Sequence, residues 1–168
     1  MSPRIGPPKG SPVGWPVSSW SEDRIVVAIE PRAKARPRAS SRGGRVHKDK
    51  RTAAWEREFA CLVNDRAPRH PMEGPIRLVV AFVMPRPKRL YRKKDPEGLV
   101  WTTAKPDASN MLKAVEDALQ PTWYKDDSQI VQVEAFKYYA EKGGSPRVEF
   151  WLGPADIRPE LAIWMVAG

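Results

Sequence analysis

Prolines limit where this chain can form helices and strands. Five of its 18 prolines fall in the first 20 residues, and residues 1–22, rich in Pro, Gly and Ser, are predicted to be a flexible arm. Two further proline-broken tracts, residues 31–51 and 85–98, are predicted to be irregular. Regular structure is therefore expected only before, between and after these two tracts.

The remaining segments show strand or helix patterns. Apolar or alternating runs predict four strands, at residues 24–30, 75–84, 128–139 and 147–153. The turn "KGGSP" predicts that the last two strands form an antiparallel hairpin. Apolar residues at helical spacing predict two helices, at residues 52–67 and 110–119. The apolar face predicted for the first helix consists of Trp55, Phe59, Leu62 and Val63. A chain of 168 residues has room for one domain, so we expect a small single α/β domain with a mixed sheet and two main helices.

The positive charge is concentrated in one part of the chain. Residues 24–106 contain 21 Lys and Arg against 8 Asp and Glu, whereas residues 107–168 contain 6 against 10. A chain with net charge +9 and an excess of this kind is typical of proteins that bind the phosphates of nucleic acids, because each neutralised phosphate releases counterions. A basic protein with an ordinary solvated surface is the alternative.

Other features of the sequence exclude several classes of protein. No apolar run approaches the roughly 20 residues of a membrane span, and the first 20 residues do not resemble a secretory signal. A cytoplasmic protein is therefore expected. Cys61 is the only cysteine, so no intrachain disulfide and no cysteine-based zinc site can form. Its neighbours in "REFACLV" predict that Cys61 is buried.

Against this basic background, one acidic segment stands out. Residues 105–131, "KPDASNMLKAVEDALQPTWYKDDSQIV", hold five carboxylates, and Asp126 and Asp127 are adjacent. A helix in this segment would place Asn110, Lys113 and Asp117 opposite its apolar face. The eight residues after it are long enough to bring Asp127 back beside Asp107. Gathered carboxylates favour a bound cation, and Mg²⁺ needs only one or two of them plus waters and phosphate.

This segment resembles a known family. The order "KPDASNMLKAVEDAL" and "WYKDDSQIV" is similar to the signature of the RusA-like Holliday junction resolvases, Lys-Pro-Asp-x-Asp-Asn-x-x-Lys, Asp-Ala-Leu and Trp-x-Asp-Asp-x-Gln. "RPRASSRGGRVHKDKRTAAWE" and "FVMPRPKR" also resemble parts of that family, and the likeness covers roughly residues 24–152. We expect an arm at residues 1–22, a nuclease domain at residues 23–153 and a tail of unknown role at residues 154–168.

The resemblance implies a function and a set of site residues. It implies a homodimeric Mg²⁺-dependent endonuclease, with Mn²⁺ as the alternative ion, that resolves four-way junctions and related branched DNA in recombination and repair. Such proteins commonly belong to phages or prophages and would associate with the nucleoid through DNA. The site residues that it implies are Asp107 and Asp127 as catalytic metal carboxylates, Asp126 as a further metal ligand and Lys113 as the catalytic lysine. Ser109, Asn110, Asp117 and Gln129 are expected in supporting roles.

One position departs from the signature. The family's second metal carboxylate aligns with Ser109, which brings no charge and is at best a weak ligand. This substitution motivates an alternative function, a junction-binding protein of the same fold that cuts weakly or not at all. A nuclease that acts on flaps or forks is a further alternative.

The two basic tracts supply the expected DNA contacts. Their Arg and Lys side chains flank the acidic segment, which favours contacts with the DNA backbone. The candidate residues are Arg36, Arg38, Arg42, Arg45, Lys48, Arg86, Lys88, Arg89 and Lys105.

Each motif residue also has a purely structural interpretation. Asp107 could cap its helix, Lys113 and Asp117 could form a surface pair, and Asp126–Asp127 could be a turn before a strand. Trp123 and Tyr124 are expected in the core or at a dimer interface. More broadly, six aromatic residues exceed what a small sheet must bury and suggest a dimer interface: Trp123, Tyr124, Phe136, Tyr138, Tyr139 and Trp151.

Overall fold

The structure, a computed structural model, describes residues 24–35 and 49–155. The predicted arm, residues 36–48 of the first basic tract and residues 156–168 of the tail lie outside the described residues. The described part contains a five-stranded sheet and two α-helices. In chain order the elements are β1 (Ile25–Val27), α1 (Lys50–Val63), β2 (Ile76–Met84), β3 (Val100–Trp101), α2 (Ala108–Leu119), β4 (Ile130–Tyr139) and β5 (Arg147–Pro154).

The sheet is mixed and β2 is its central strand. The strand order is β1-β5-β2-β4-β3, with β2 parallel to β4 and antiparallel to β5. Seven of the nine β2 residues are buried, as expected of a near-continuous apolar run that has neighbours on both edges and material on both faces. The small α/β fold with a mixed sheet and two helices is confirmed.

The predicted hairpin of the last two strands is wrong. β4 and β5 do not pair with each other, because each pairs with β2 from opposite sides. Neighbouring strands lie about 4.8 Å apart, so the residues between Tyr139 and Arg147 need to cross only about 10 Å to pass one strand. "KGGSP" therefore turns the chain over the end of β2, so that β5 pairs with the edge of β2 opposite to β4.

Helix α1 begins earlier than its apolar pattern alone predicts. Asp49 is its N-cap, and its carboxylate accepts from the amide of Thr52 at 3.2 Å, a contact that typically stabilises a helix by about 1 kcal/mol. The helix buries Trp55, Phe59 and Val63 as predicted.

Two predictions about α1 were wrong. Leu62, placed on the core face, is 53% exposed, and Cys61 is exposed as well. Both side chains lie at the end of the helix, where Val63 alone reaches the core. The apolar neighbours of Cys61 in the sequence did not indicate its exposure. The buried stripe of α1 is narrower than the number of apolar residues in the helix suggests.

Both helices pack on the same face of the sheet. Their buried side chains join Ile76, Leu78, Val80 and Phe82 of β2 in one core. The opposite face has a smaller cluster around Ala81, Val83 and Tyr138. No helix in the described ranges is long and apolar enough to cross a membrane.

The six aromatic residues expected to be in surplus divide into two groups. Trp123, Tyr124 and Tyr138 are buried within the subunit, so they are not available to a partner. Phe136, Tyr139 and Trp151 are half-buried. Trp101, which the sequence pattern did not single out, is 57% exposed and lies 4.2 Å from Tyr138 between ring centroids.

Candidate active site

Helix α2 carries most of the signature residues and separates them from the core. Its buried side chains are Met111, Ala114, Val115, Ala118 and Leu119. Ser109 and Lys113 are exposed, and Asn110 and Asp117 are half-buried. The amphipathic pattern predicted for this segment is therefore confirmed, and the polar face of α2 is presented to the surroundings of the domain.

Asp107 lies at the N-cap of α2 but does not cap it. Its side chain makes no capping hydrogen bond, although an Asp at this position normally accepts from the second or third helical amide. The side chain is exposed. Asp107 therefore does not have the helix-capping role that was the structural alternative for it. Its carboxylate is available for another partner.

The adjacent acids Asp126 and Asp127 have different environments. Asp126 is the N-cap of a short 3₁₀ turn (Asp127–Gln129), and its carboxylate accepts from the amide of Ser128 at 2.8 Å. Hydrogen bonds from Ser128 hold the pKa of Asp126 below its usual value. Asp127 is the first residue of the turn and is exposed. The turn interpretation therefore describes Asp126. The Asp127 side chain is exposed and adds a smaller hydrogen-bond contribution to the lowered pKa of Asp126.

Gln129 fixes this turn against the rest of the domain. Its Oε1 accepts from the amides of Asp126 at 3.1 Å and Lys125 at 2.9 Å. Its Nε2 donates to the carbonyls of Met72 at 3.0 Å and Gly74 at 3.2 Å. Because all four contacts are to the backbone, Gln129 positions Asp127 without needing to touch a substrate, which gives the last residue of the signature a structural role.

Glu116 is a nearby carboxylate that the signature did not indicate. The pKa of Glu116 is raised, and burial is the largest cause. The negative charges of Asp127 and Asp117 raise this pKa further, whereas the positive charge of Lys113 lowers it. The Tyr124 hydroxyl donates to the Glu116 carbonyl at 2.8 Å, which ties the segment after α2 to its last turns. Asp127 therefore lies within electrostatic reach of the C-terminal half of α2, on the side of Glu116.

The predicted surface pair between Lys113 and Asp117 does not form. Asp117 is paired instead with Lys34, at the start of the first basic tract. The amide of Lys34 also donates to the carbonyl of Asn110 at 2.9 Å. No ion pair of Lys113 is found within the described residues. Its side chain is exposed, and its charge acts to lower the pKa of Glu116. The described start of the basic tract therefore lies next to the polar face of α2.

The proposed metal ligands do not form a compact group. Among the described residues, no three His, Cys, Asp or Glu side chains lie close enough together to hold a metal ion. Asp107 precedes α2, and the charge of Asp127 acts on Glu116 in the second half of that helix. The expectation that the chain brings Asp107 and Asp127 side by side stays a prediction. Their exposed carboxylate oxygens are nevertheless the donors that a hard divalent ion prefers.

The candidate DNA contacts are only partly described. Arg36, Arg38, Arg42, Arg45 and Lys48 lie outside the described residues. Lys88, Arg89 and Lys105 are exposed, which is compatible with backbone contact.

Arg86 is a structural residue, and its prediction as a DNA contact was wrong. It is 8% exposed. Its guanidinium donates to four backbone carbonyls, those of Leu90, Pro96, Gly98 and Ala140, at 2.6 to 3.2 Å. It also lies 5.7 Å from the centre of the Tyr91 ring. Arg86 therefore organises the loop between β2 and β3, and its charge does not face outward as the basic sequence around it suggested.

A small α/β domain that carries exposed acids on a basic chain fits a DNA-processing enzyme, and comparison with known proteins identifies the family. Residues 28–150 match the family model described as endodeoxyribonuclease RusA. The chain is also 38% identical over 133 residues to an uncharacterized protein, YqaN, of Bacillus subtilis (strain 168), covering 75% of this chain and 92% of that one. The chain therefore belongs to the RusA endodeoxyribonuclease family, and this membership implies nuclease activity on DNA.

Proposed function

We propose that this protein is a divalent-metal-dependent endodeoxyribonuclease that resolves four-way DNA junctions and related branched DNA in recombination and repair. The proposal is supported by a difference among the signature residues, some of which make structural contacts while others have exposed carboxylates. Asp126, Asp117 and Gln129 are engaged by neighbouring groups of the domain. Asp107 and Asp127 have exposed carboxylates, and Asp107 leaves its capping bond unmade.

The chemistry assigned to these residues follows from their charges. Asp107 and Asp127 would hold a Mg²⁺ or Mn²⁺ ion, which supplies Lewis-acid polarisation of the phosphate and an activated water. Lys113 would stabilise negative charge that grows on the phosphate during the reaction. Lys88, Arg89, Lys105 and the tract at residues 36–48 would hold the DNA backbone.

The direct test compares a four-way junction with a linear duplex of the same sequences. Cleavage of the junction in Mg²⁺, with no cleavage in EDTA and slow or no cleavage of the duplex, supports the proposal. Equal cleavage of both substrates would replace it with a nuclease of lower structural selectivity, and preferential cleavage of flaps or forks would assign that substrate instead.

A second candidate function is a junction-binding protein that cuts weakly. It is favoured by Ser109, which lacks the expected carboxylate, and by the absence of a three-ligand group within the described ranges. Junction binding without cleavage in either Mg²⁺ or Mn²⁺ would establish it.

Replacing Ser109→Asp separates these two candidates. The change restores the family's carboxylate on the exposed first turn of α2, so we expect equal or faster cleavage and a lower Mg²⁺ requirement, because a bound ion neutralises the added charge. The measurement is the initial cleavage rate across a Mg²⁺ titration. A sharp loss of activity in a variant with unchanged circular dichroism would show that the site is built around the serine.

Removing the exposed ammonium group should affect turnover more than binding. In Lys113→Ala we expect kcat to fall by about 100-fold, while the Kd for junction DNA changes by less than about threefold, because the proposed partner of Lys113 is charge that develops in the transition state. Single-turnover rates and binding isotherms measure the two effects. A variant that lost only affinity would make Lys113 a backbone contact.

We also propose that the protein acts as a two-fold symmetric homodimer. Resolution of a four-way junction needs two cuts at symmetric positions, and closed dimers are the commonest oligomers. The sheet face opposite the helices offers half-buried Phe136 and Trp151 and exposed Trp101 to a partner. A dimer could also supply more oxygen donors at one ion than one subunit brings together.

The dimer is tested by its mass in solution. Light scattering at micromolar concentration should give about twice the 19.0 kDa of the chain. Trp101→Glu should shift the mass toward the monomer, because it places a charge on the proposed apolar contact. A strictly monomeric wild-type protein that still made paired cuts would contradict the proposed homodimer.

A further inference from the structure

The segment that links β3 to α2 ends at Asp107 and is held by a lysine outside the family signature. This lysine is Lys137 of β4. Its Nζ donates to the carbonyls of Ala104 at 2.6 Å and Pro106 at 3.0 Å. Its own carbonyl accepts from the amide of Thr102 at 3.3 Å. One residue therefore attaches the whole linking segment to the sheet.

The hydrogen bond to Pro106 bears directly on Asp107. The carbonyl of Pro106 and the amide of Asp107 belong to one planar peptide group, so Lys137 fixes the orientation of this group. On the other side, the Asp107 carbonyl accepts from the amides of Asn110 at 3.1 Å and Met111 at 3.2 Å. The backbone on both sides of Asp107 is therefore held, and this sets the direction in which its uncapped side chain leaves the chain.

The positive charge of Lys137 is directed at the backbone and not at the Asp107 carboxylate. Among the residues that the structure describes, no ion pair joins these two side chains. An ion pair would compete with a metal ion for the carboxylate, whereas contacts with carbonyls leave the negative charge of Asp107 available. Hydrogen bonds from a charged donor are also shorter and stronger than neutral ones, and Lys137 is half-buried.

We propose that Lys137 is a positioning residue that orients the Asp107 carboxylate through the preceding peptide and thereby raises the affinity of the site for its divalent ion. The inference rests on the proposed nuclease function and adds a residue that the signature does not contain. Contacts that orient a metal ligand from behind commonly change metal affinity by about 10- to 100-fold when they are removed. Lys137 itself touches neither the ion nor the DNA.

The test is Lys137→Met, which keeps the length of the side chain and removes its N–H donors. The Mg²⁺ concentration for half-maximal cleavage of a four-way junction should rise by about tenfold or more. The rate at saturating Mg²⁺ and the Kd for the junction in EDTA should stay within about threefold of wild type, because the ligands and the basic side chains are still present. Without DNA, the Kd for Mn²⁺, followed by electron paramagnetic resonance, should rise by a similar factor.

A second lysine of the same kind supplies the matched control. The Nζ of Lys142 donates to the carbonyl of Arg92 at 3.0 Å and pairs with Glu97 at 2.7 Å, so Lys142 also holds a loop, but not the segment before Asp107. Lys142→Met should therefore keep the wild-type Mg²⁺ dependence. Lys137→Arg should also stay within about threefold of wild type, because a guanidinium can donate to the same carbonyls.

A double-mutant cycle tests whether Lys137 acts through Asp107. In Asp107→Asn the carboxylate is already absent, so adding Lys137→Met should change the Kd for Mn²⁺ by less than about threefold. A full additional loss would show that Lys137 acts independently of Asp107 and would overturn the inference. If Lys137→Met lowers the melting temperature too far for these assays, Lys137→Gln, which is too short to reach both carbonyls, takes its place.

The possible failures are distinguishable. If the wild-type protein cuts junctions and Lys137→Met keeps the wild-type Mg²⁺ dependence, this inference is overturned while the nuclease proposal stands. Loss of junction affinity alone would also overturn it and make Lys137 a contact to the DNA backbone. Equal shifts in Lys137→Met and Lys142→Met would show a general loss of rigidity instead. A protein that neither binds nor cuts any junction would overturn the proposed function and, with it, this inference.

Discussion

Asp127→Asn should reduce junction cleavage by on the order of 100- to 1,000-fold or more while leaving junction affinity within about threefold of wild type. Loss of a metal ligand removes several kcal/mol of charge stabilisation in the transition state, and each 1.36 kcal/mol is a factor of ten in rate. Binding is expected to persist, because it comes mainly from basic side chains that the substitution does not touch. Single-turnover cleavage and fluorescence anisotropy on the same junction measure the two quantities.

The neighbouring residue supplies a matched control. Asp126→Asn keeps an oxygen that can accept from the Ser128 amide, and Asn is as good an N-cap as Asp. The 3₁₀ turn should therefore survive, and the loss of activity should be much smaller than for Asp127→Asn. Equal losses in the two variants would make Asp126 a metal ligand as well. Near wild-type cleavage by Asp127→Asn would remove Asp127 from the site.

Arg86→Ala should destabilise the protein by about 3 to 5 kcal/mol. The substitution removes a charged donor that satisfies four backbone carbonyls, and hydrogen bonds to charged groups contribute about 1.5 to 3 kcal/mol each, with large losses when buried acceptors are left unpaired. For a domain of this size the melting temperature should fall by about 10 °C or more. Thermal unfolding followed by circular dichroism measures the change.

Arg89→Ala is the control for this prediction. Arg89 is exposed in the same basic tract, so its loss should leave the melting temperature nearly unchanged. It should weaken DNA binding and reduce the dependence of binding on salt. If Arg86→Ala instead kept its stability and lost only DNA affinity, Arg86 would return to the DNA-binding set.

The sequence predicted the elements of the fold better than their arrangement. Local patterns carried the information for α2, β2 and β4, because spacing and side-chain type determine which face is buried. Strand order is set by competition among non-local pairings. The apolar run of β2 attracts β4 and β5 to its two edges, and a glycine-rich turn cannot by itself show whether the strands that it joins are neighbours.

The candidate site shows the same limit. The order of the signature singled out Asp107, Lys113 and Asp127 as candidates, but it did not show which acids have structural hydrogen bonds or ion pairs. The capping role of Asp126 and the pairing of Asp117 with Lys34 depend on backbone geometry and on a segment more than 80 residues away. Arg86 was misassigned because a basic tract gives no sign of which of its cations is turned inward. Glu116 does not occupy a position of the signature. It is recognised as a nearby carboxylate only from the structure, where burial and the charge of Asp127 raise its pKa.

The most direct test of the central claim is to map the cuts that the wild-type protein makes in a four-way junction labelled on each strand in turn, with Mg²⁺ or with EDTA. The account predicts paired cuts on two strands of like polarity at symmetric positions, present in Mg²⁺, absent in EDTA and lost in Asp127→Asn. Cleavage that persists in EDTA or in Asp127→Asn, or binding to the junction without any cut in Mg²⁺ or Mn²⁺, would contradict it.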